Sequence, residues 1–228
     1  MKAFITGVTG FVGGHLAEYL ACQGIEVWGA SRSEATQASH NGKWNLLRLD
    51  LSDEDAMIKT LDHLQPDMIF HLAGQSSVRA SWDQKVETFD ANVILTIRLL
   101  ESIRKSKAKD ATVVTVGSSE EYGQAKPEEM PIGEETPLRP LSPYGVSKAT
   151  VYMLARQYHQ SSGMRVIHVR PFNHIGPGQR PGFVTSDFAK QISEIETGIR
   201  PPVMEVGNLS AERDFLDVRD IVRAYYMI

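Results

Sequence analysis

Tyr144-Gly-Val-Ser-Lys148 places a phenol and an ammonium four residues apart. On a helix that spacing brings both to one face. A free tyrosine, with a pKa near ~10, is a poor acid–base group at neutral pH. A fixed cation nearby favours the phenolate and draws the pKa toward a working range. Such a tyrosine can trade a proton with a hydroxyl or carbonyl. The same spacing recurs in Tyr122-Gly-Gln-Ala-Lys126, so context must separate the two. Lys126 is followed by Pro127, with Pro131 and Gly133 soon after, which reads as a loop where the side chains need not meet. Tyr144 follows Ser142-Pro143, a fitting N-cap and first helical residue, and no breaker comes before Gly163. Only the Tyr144–Lys148 pair is predicted to lie on a helix.

A frame must hold that helix. Apolar runs predict strands over 2–6, 26–30, 46–49, 68–72, 113–116 and 165–169. Longer periodic stretches predict helices over 11–22, 53–64, 82–105 and 143–161. The alternation implies an α/β fold, a Rossmann-type doubly wound parallel sheet with helices on both faces. After Arg170 the character changes: Pro171, Gly176, Pro177, Gly178, Pro181 and Gly182 crowd together. An irregular segment of that length in a compact domain is usually functional. A helix over 184–196, a strand over 203–206 and a helix over 217–227 follow. Residues 1–170 read as the cofactor domain and 171–228 as a smaller substrate region. The chain stops inside its last helix, so that region is expected to be incomplete.

Gly7-Val-Thr-Gly10-Phe-Val-Gly13 joins the first strand to the first helix. Glycines there permit a tight turn and close approach of backbone to a pyrophosphate at the positive helix N-terminus. Gly7, Gly10, Phe11, Val12 and Gly13 are therefore candidate cofactor contacts. The second strand ends Gly29-Ala30-Ser31-Arg32, with no acid until Glu34. A guanidinium pairs well with a 2′-phosphate, which favours NADP(H), with NAD(H) as the alternative. Asp50 and Leu51, after the third strand, are placed to touch the adenine; Asp50 could instead cap the following helix.

The formal net charge of −4 provides no overall field for nucleic acid. Anionic ligands must be held by local arginines, lysines and backbone amides. The seven histidines show no paired metal spacing, and no metal is expected. No apolar run approaches a membrane span, and Met1-Lys2 leads straight into a strand instead of a secretory signal. Cys22 is the single cysteine, which points to a reducing cytoplasm.

The chain resembles the extended short-chain dehydrogenase/reductases, many of which act on nucleotide-activated sugars. The likeness rests on GVTGFVGG, His71-Leu-Ala-Gly74, Asn92, Ser118-Ser-Glu-Glu-Tyr122-Gly123 and SPYGVSK, in that order through nearly the whole chain. It implies Tyr144 as the acid–base group and Lys148 as its electrostatic partner, which also binds the nicotinamide ribose. Ser118 matches the hydroxyl that hydrogen-bonds the reacting oxygen, with Ser119 the nearest alternative. Leu72, Ala73, Gly74 and Pro171 join the implied cofactor contacts. Arg170-Pro-Phe-Asn-His-Ile-Gly-Pro-Gly-Gln179 and Glu205-Val-Gly-Asn-Leu-Ser-Ala-Glu-Arg213 narrow the likeness to reductases of GDP-linked 4-keto-6-deoxy sugars, which form GDP-rhamnose. By that resemblance Asn173 and Arg180 contact the sugar nucleotide, Lys190 its phosphates, and Arg213 its ribose or phosphates. Lys190 could equally be a solvated helix face, and Arg213 could pair with Asp214 or Asp217. The resemblance also implies a homodimer built from the helices over 82–105 and 143–161.

Glu120 points another way. In related GDP-mannose 4,6-dehydratases a glutamate at this place removes the C5 proton, and a reductase has no need of it. The alternative for Glu120 is a hydrogen bond within its turn. The dehydratase is the second reading of the sequence, and a non-catalytic dinucleotide sensor of the same fold the third. Such sensors typically lack the tyrosine–lysine pair present here.

Overall fold

The computed structural model describes residues 1–32 and 42–228. In chain order, β1 (Lys2–Thr6), α1 (Phe11–Cys22), β2 (Glu26–Ser31), β3 (Asn45–Arg48), α2 (Glu54–Leu64) and β4 (Met68–His71) make the first half. Three short helical pieces follow: α3 (Val78–Asp83), α4 (Lys85–Phe89) and a π turn (Asp90–Ile94) that runs into α5 (Leu95–Lys105). Then come β5 (Thr112–Val116), α6 (Pro143–Ser162), β6 (Arg165–Val169), β7 (Asn173–Ile175), α7 (Val184–Glu196), β8 (Phe215–Asp217) and α8 (Val218–Met227).

Six parallel strands lie in the order β3-β2-β1-β4-β5-β6. The order reverses between β1 and β4, and ligands of such sheets bind beyond the C-terminal strand ends at that crevice. Ala3, Phe4 and Ile5 are wholly buried because helices cover both faces. On one face Phe4 and Ile69 meet Met57, Leu61, Leu99, Leu100 and Ile103 of α2 and α5. On the other, Ile5 and Phe70 meet Leu16 and Leu20 of α1 and Val222 of α8.

Local signals set the element ends. Ser142 caps α6 by accepting from Gly145 N–H at 3.0 Å, Pro143 is its first residue, and Gly163 (φ 67°) ends it. Asp53 is the cap of α2, accepting from Ala56 N–H at 2.9 Å, and does not belong to the helix itself.

Two expectations fail. The helix over 82–105 is broken, and helical structure starts earlier, where Ser77 caps α3. The break is the π turn, which turns the buried Asn92 inward: its Oδ1 accepts from Gln75 N–H at 2.8 Å and its Nδ2 donates to Ser147 Oγ at 2.9 Å. Bulges of this kind recur at functional sites. The strand over 203–206 is absent. Val203 and Val206 are exposed, and the Gln191 side-chain amide takes both backbone groups of Glu205, at 2.8 and 3.0 Å, where a strand partner would be. The second sheet is instead a parallel pair, β7 with β8, registering Asn173 with Phe215 and Ile175 with Asp217. Among the described residues no helix is long and apolar enough to cross a membrane.

Candidate active site

The glycine turn closes tightly on the strand ends. Gly7 has φ 73°, and a Cβ there would sit 2.6 Å from Ala73 N and 2.8 Å from the Leu72 carbonyl carbon. A Cβ on Gly13 would sit 2.3 Å from Gly7 O. Gly10 donates to Gly7 O at 2.9 Å and opens α1 without a side-chain cap, leaving the first-turn amides for a ligand. Phe11 and Val12 are half-buried at the same helix start. The cradle is bare backbone where a pyrophosphate must approach, so these residues fit a dinucleotide. Gly7→Ala combines an unfavourable positive φ with a backbone clash, and is expected to cost about 2–4 kcal/mol of stability. NADPH affinity should fall at least ~10-fold as the turn shifts from the phosphates. Thermal melts and fluorescence titration with NADPH measure the two effects.

A neutral hydrogen-bond chain ties this turn to the α6 helix. Ala73 N–H donates to Thr6 Oγ1 at 3.3 Å, and Thr6 Oγ1 meets His71 Nδ1 at 2.7 Å. His71 Nε2 meets Thr96 Oγ1 at 3.0 Å, and Thr96 donates onward to Asn92 O at 2.5 Å. Asn92 Nδ2 donates to Ser147 Oγ, which donates to Tyr144 O at 2.7 Å. Because the Thr96 hydroxyl gives its hydrogen to Asn92, His71 carries its proton on Nε2. Burial holds the His71 pKa down, at about 3, with the Lys148 charge adding to the effect.

Arg32 is exposed just past β2 and acts by charge on Asp50; Glu34 lies outside the described residues. The Asp50 carboxylate accepts from Ser52 N–H at 2.9 Å and Ser52 Oγ at 2.8 Å. Those bonds hold it below the usual carboxylate range. The Leu51 side chain packs in the core, so it is not available to line an adenine site, and only its backbone is left for that contact.

α6 carries Tyr144 and Lys148 one turn apart, as its cap and spacing predict. Tyr122 and Lys126, the second pair, fall on separate short turns. Lys148 Nζ donates to Val116 O at 2.8 Å and lies 5.7 Å from the Tyr144 ring centroid. The expected pKa direction does not hold. Burial pushes the Tyr144 phenol up to about 12; hydrogen bonding with Ser118 opposes this, and the charges of Glu120 and Glu121 add to it. The buried site outweighs the ammonium, which is itself held at about 8 by burial, with Glu121 pulling it upward. At neutral pH the pair is therefore a protonated phenol beside a mostly protonated lysine. That is a proton donor with a cation ready for the phenolate it leaves.

Ser118 sits at the end of β5, where its Oγ accepts from Glu120 N–H at 3.2 Å. Ser119 N–H donates to Pro171 O at 3.0 Å, which joins Pro171 to the same turn. Glu120 is half-buried, and its carboxylate has no hydrogen-bonding or ion-pair partner among the described residues. The hydrogen bond that was its alternative role is made by its neighbour. Glu121 is wholly buried and accepts from Ser118 N–H at 3.0 Å. The sequence reading missed Glu121; the available signal was the two basic residues His168 and Arg170, one in β6 and one just past it.

The 171–182 segment packs over the start of α1. His174 stacks on Phe11 at 6.2 Å, and His15 Nε2 donates to Pro177 O at 2.9 Å. Asn173 Nδ2 donates to Asp214 O at 3.2 Å, tying β7 to the end of the 205–214 segment. Arg180 is exposed. Lys190 is an exposed helix-face residue paired with Glu194 at 3.7 Å, so its solvated alternative describes its resting contact. It also borders a groove of about 540 Å³ with Phe188, Arg200 and Glu205. Arg213 Nη1 donates to the neighbouring Glu212 O at 2.7 Å. Its alternative, an ion pair with Asp214 or Asp217, is not made among the described residues, and Arg219 takes the Asp217 carboxylate at 2.6 Å. None of Asn173, Arg180, Lys190 and Arg213 bonds to Ser118, Tyr144 or Lys148 among the described residues. A larger cavity, about 680 Å³ between Pro66, Phe70, Val114 and Tyr225, holds none of the expected site residues.

A doubly wound sheet with this glycine turn, and with Ser118, Tyr144 and Lys148 gathered at its strand ends, defines a short-chain dehydrogenase/reductase. The family model described as GDP-mannose 4,6 dehydratase matches residues 4–228, and the chain belongs to that family. It is 37% identical over 228 residues to the GDP-6-deoxy-D-mannose reductase of Pseudomonas aeruginosa, covering 98% of this chain and 69% of the relative. It is 34% identical over 240 residues to the GDP-mannose 4,6-dehydratase of Vibrio cholerae, covering all of this chain and 64% of the relative. The chain thus spans about two thirds of the length of these relatives. Among solved structures, RMD from Pseudomonas aeruginosa complexed with NADPH is similar with a TM-score of 0.81 at 36% identity, covering 98% of this chain and 72% of that one.

Proposed function

We propose that the chain reduces the 4-keto group of GDP-4-dehydro-6-deoxy-D-mannose to give GDP-D-rhamnose. The observation that carries this reading is the buried Tyr144 one turn from Lys148 on α6, beside a glycine turn that fits a dinucleotide, in a chain this similar to a GDP-6-deoxy-D-mannose reductase. Residues 1–170 would hold NADPH: Gly7, Gly10, Phe11, Val12 and Gly13 at the diphosphate, Arg32 at the 2′-phosphate, Asp50 and Leu51 toward the adenine. Leu72, Ala73, Gly74 and Pro171 would flank the nicotinamide end. When bound, NADPH supplies hydride to C4. Tyr144 gives its proton to the C4 oxygen, and Ser118 hydrogen-bonds that oxygen as charge grows on it. Lys148 stabilises the phenolate left behind. Residues 171–228 would take the sugar nucleotide through Asn173, Arg180, Lys190 and Arg213, moving Lys190 off Glu194.

Arg32→Ala is expected to raise the KM for NADPH roughly 10-fold or more, the worth of one charge-assisted contact, and to leave the KM for NADH unchanged. Steady-state kinetics with each cofactor read this directly. Equal losses with both would remove Arg32 from 2′-phosphate recognition.

The exposed Trp82, Val86 and Ile94, with Val146 and Met153 on α6, support a homodimer through these helices, and the single cysteine, Cys22, supports a cytoplasmic location. Sedimentation equilibrium tests the dimer.

Glu120 favours a second reading, GDP-mannose 4,6-dehydratase, because its carboxylate has no partner among the described residues and lies within charge range of the phenol. Incubation with GDP-mannose, and separately with its 4-keto-6-deoxy product, decides between them. NADPH consumed only with the keto sugar supports the reductase. Conversion of GDP-mannose without net NADPH use overturns it. Tight NADPH binding with no turnover of either sugar identifies a sensor.

A further inference from the structure

We infer that Glu121 is a positioning residue: anchored to β6 through His168 and Arg170, it fixes the turn that carries Ser118 and so holds the Ser118 hydroxyl at the Tyr144 phenol. The inference rests on the reductase reading above and assigns that reaction a residue outside its reacting groups.

The geometry is specific. Oε1 of Glu121 accepts from Ser118 N–H at 3.0 Å and from His168 Nε2 at 3.0 Å, while Oε2 accepts from Arg170 Nε at 2.9 Å. The side chain is wholly buried, so its oxygens depend on these partners in place of water. The Thr115 hydroxyl meets His168 Nδ1 at 3.0 Å, leaving Nε2–H to face the carboxylate. Burial lowers the pKa of His168 against the pull of Glu121, so it serves as a neutral donor. Arg170 is then the single cation paired directly with the acid among the described residues. Its guanidinium lies 4.3 Å from the Tyr152 ring and 5.3 Å from the Tyr122 ring, and Nη1 donates to Tyr122 Oη at 3.1 Å. Lys148 stands on the other side and feels Glu121 through charge alone.

Position 117 shows that the arrangement is built. A Cβ on Gly117 would lie 1.9 Å from Glu121 Oε1 and 2.3 Å from His168 Nε2, so the carboxylate passes where any other residue would place its side chain. Ser118 N–H and Glu121 also form a capping box, with the Ser118 hydroxyl accepting from the turn. Capping alone would be served by a neutral glutamine. An ionised acid clamped to the next strand adds a fixed position for the turn relative to β6.

The test is a double-mutant cycle of Glu121→Gln and Ser118→Ala, with kcat and KM measured on the keto sugar and NADPH. Glu121→Gln is expected to lower kcat about 10- to 100-fold, as small misplacements of a reacting group do, with the KM for NADPH unchanged. In the Ser118→Ala background it should change kcat less than about twofold, because the hydroxyl it positions is gone. Losses that multiply in full overturn the inference. If Glu121→Gln fails to fold, Glu121→Gln/Arg170→Met removes both buried charges together and takes its place in the cycle. Amide exchange by mass spectrometry gives a readout independent of turnover: residues 117–122 should exchange faster in the variant while α6 keeps its protection. Unchanged exchange of that turn also overturns the inference. A wild-type protein that consumes no NADPH with the keto sugar would sink the reductase reading, and the exchange result would still decide the role of Glu121.

Discussion

Tyr144→Phe is expected to lower kcat about 10³-fold while leaving NADPH affinity within about twofold, because general-acid transfer contributes about 10²–10⁴-fold. The ring keeps its place, since the Tyr144 backbone N–H bonds Ser81 Oγ at 3.2 Å and its carbonyl accepts from Ser147. Only the proton donor is lost. The wild-type profile should carry a companion signature. With the phenol at about 12 and Lys148 at about 8, the required state is a protonated phenol beside a protonated ammonium. Activity should hold below about pH 8 and decline above it as Lys148 loses its proton. Stopped-flow kinetics across pH 6–10, with equilibrium NADPH titrations of both proteins, check the two statements. Turnover that survives the substitution refutes the mechanism.

Lys148→Met should abolish turnover and yet make the protein more stable. Burial lowers the lysine from 10.5 to about 8, so holding this charge in the folded state costs roughly 3 kcal/mol at neutral pH. Methionine fills a similar volume without a charge, but it leaves the Val116 carbonyl without its donor, which costs about 1 kcal/mol. The net gain of about 2 kcal/mol corresponds to a melting temperature roughly 4–8 °C higher. The sign follows from linkage. The folded state binds this proton more weakly than the unfolded chain, so wild-type stability rises with pH between about 8 and 10.5. The advantage of the variant is therefore full below about pH 8 and shrinks as pH climbs toward 10.5. Melting curves at pH 7 and pH 9.5 measure it; equal gains at both would refute the assignment of the cost to the charge. A site that binds less stably than its apolar substitute is what function at the expense of stability predicts.

The sheet was legible because its central strands β1, β4 and β5 are buried on both faces and read as largely apolar runs, and α6 because Ser142, Pro143 and Gly163 mark both ends. The placement of Tyr144 and Lys148 on one helix and the closure of the glycine turn were legible because each is a local pattern within a few consecutive residues. What could not be read was cross-element. Nothing in 82–105 announces that Asn92 turns inward to bond Gln75 and Ser147, so a continuous helix was expected. Val203, Met204 and Val206 form a short apolar run as a strand would, but the Gln191 amide captures Glu205 first. Glu120 and Glu121 are identical in type and adjacent, and only the approach of β6 sends one inside. The phenol's pKa was misjudged for a related reason: the spacing of Tyr144 and Lys148 is visible in sequence, whereas the burial that outweighs it is not.

The neutral chain from Ala73 through Thr6, His71, Thr96, Asn92 and Ser147 to Tyr144 has a bearing on how the protein tolerates its surroundings. It works as a strut of set length between the glycine turn proposed to seat the cofactor and the tyrosine proposed to give the proton. No member carries a charge at neutral pH, because His71 gains a second proton only near pH 3. Mobile ions weaken attractions between exposed charges and leave buried dipoles largely alone. Salt can thus loosen the grip on an anionic sugar nucleotide without altering the alignment of hydride and proton once it is bound.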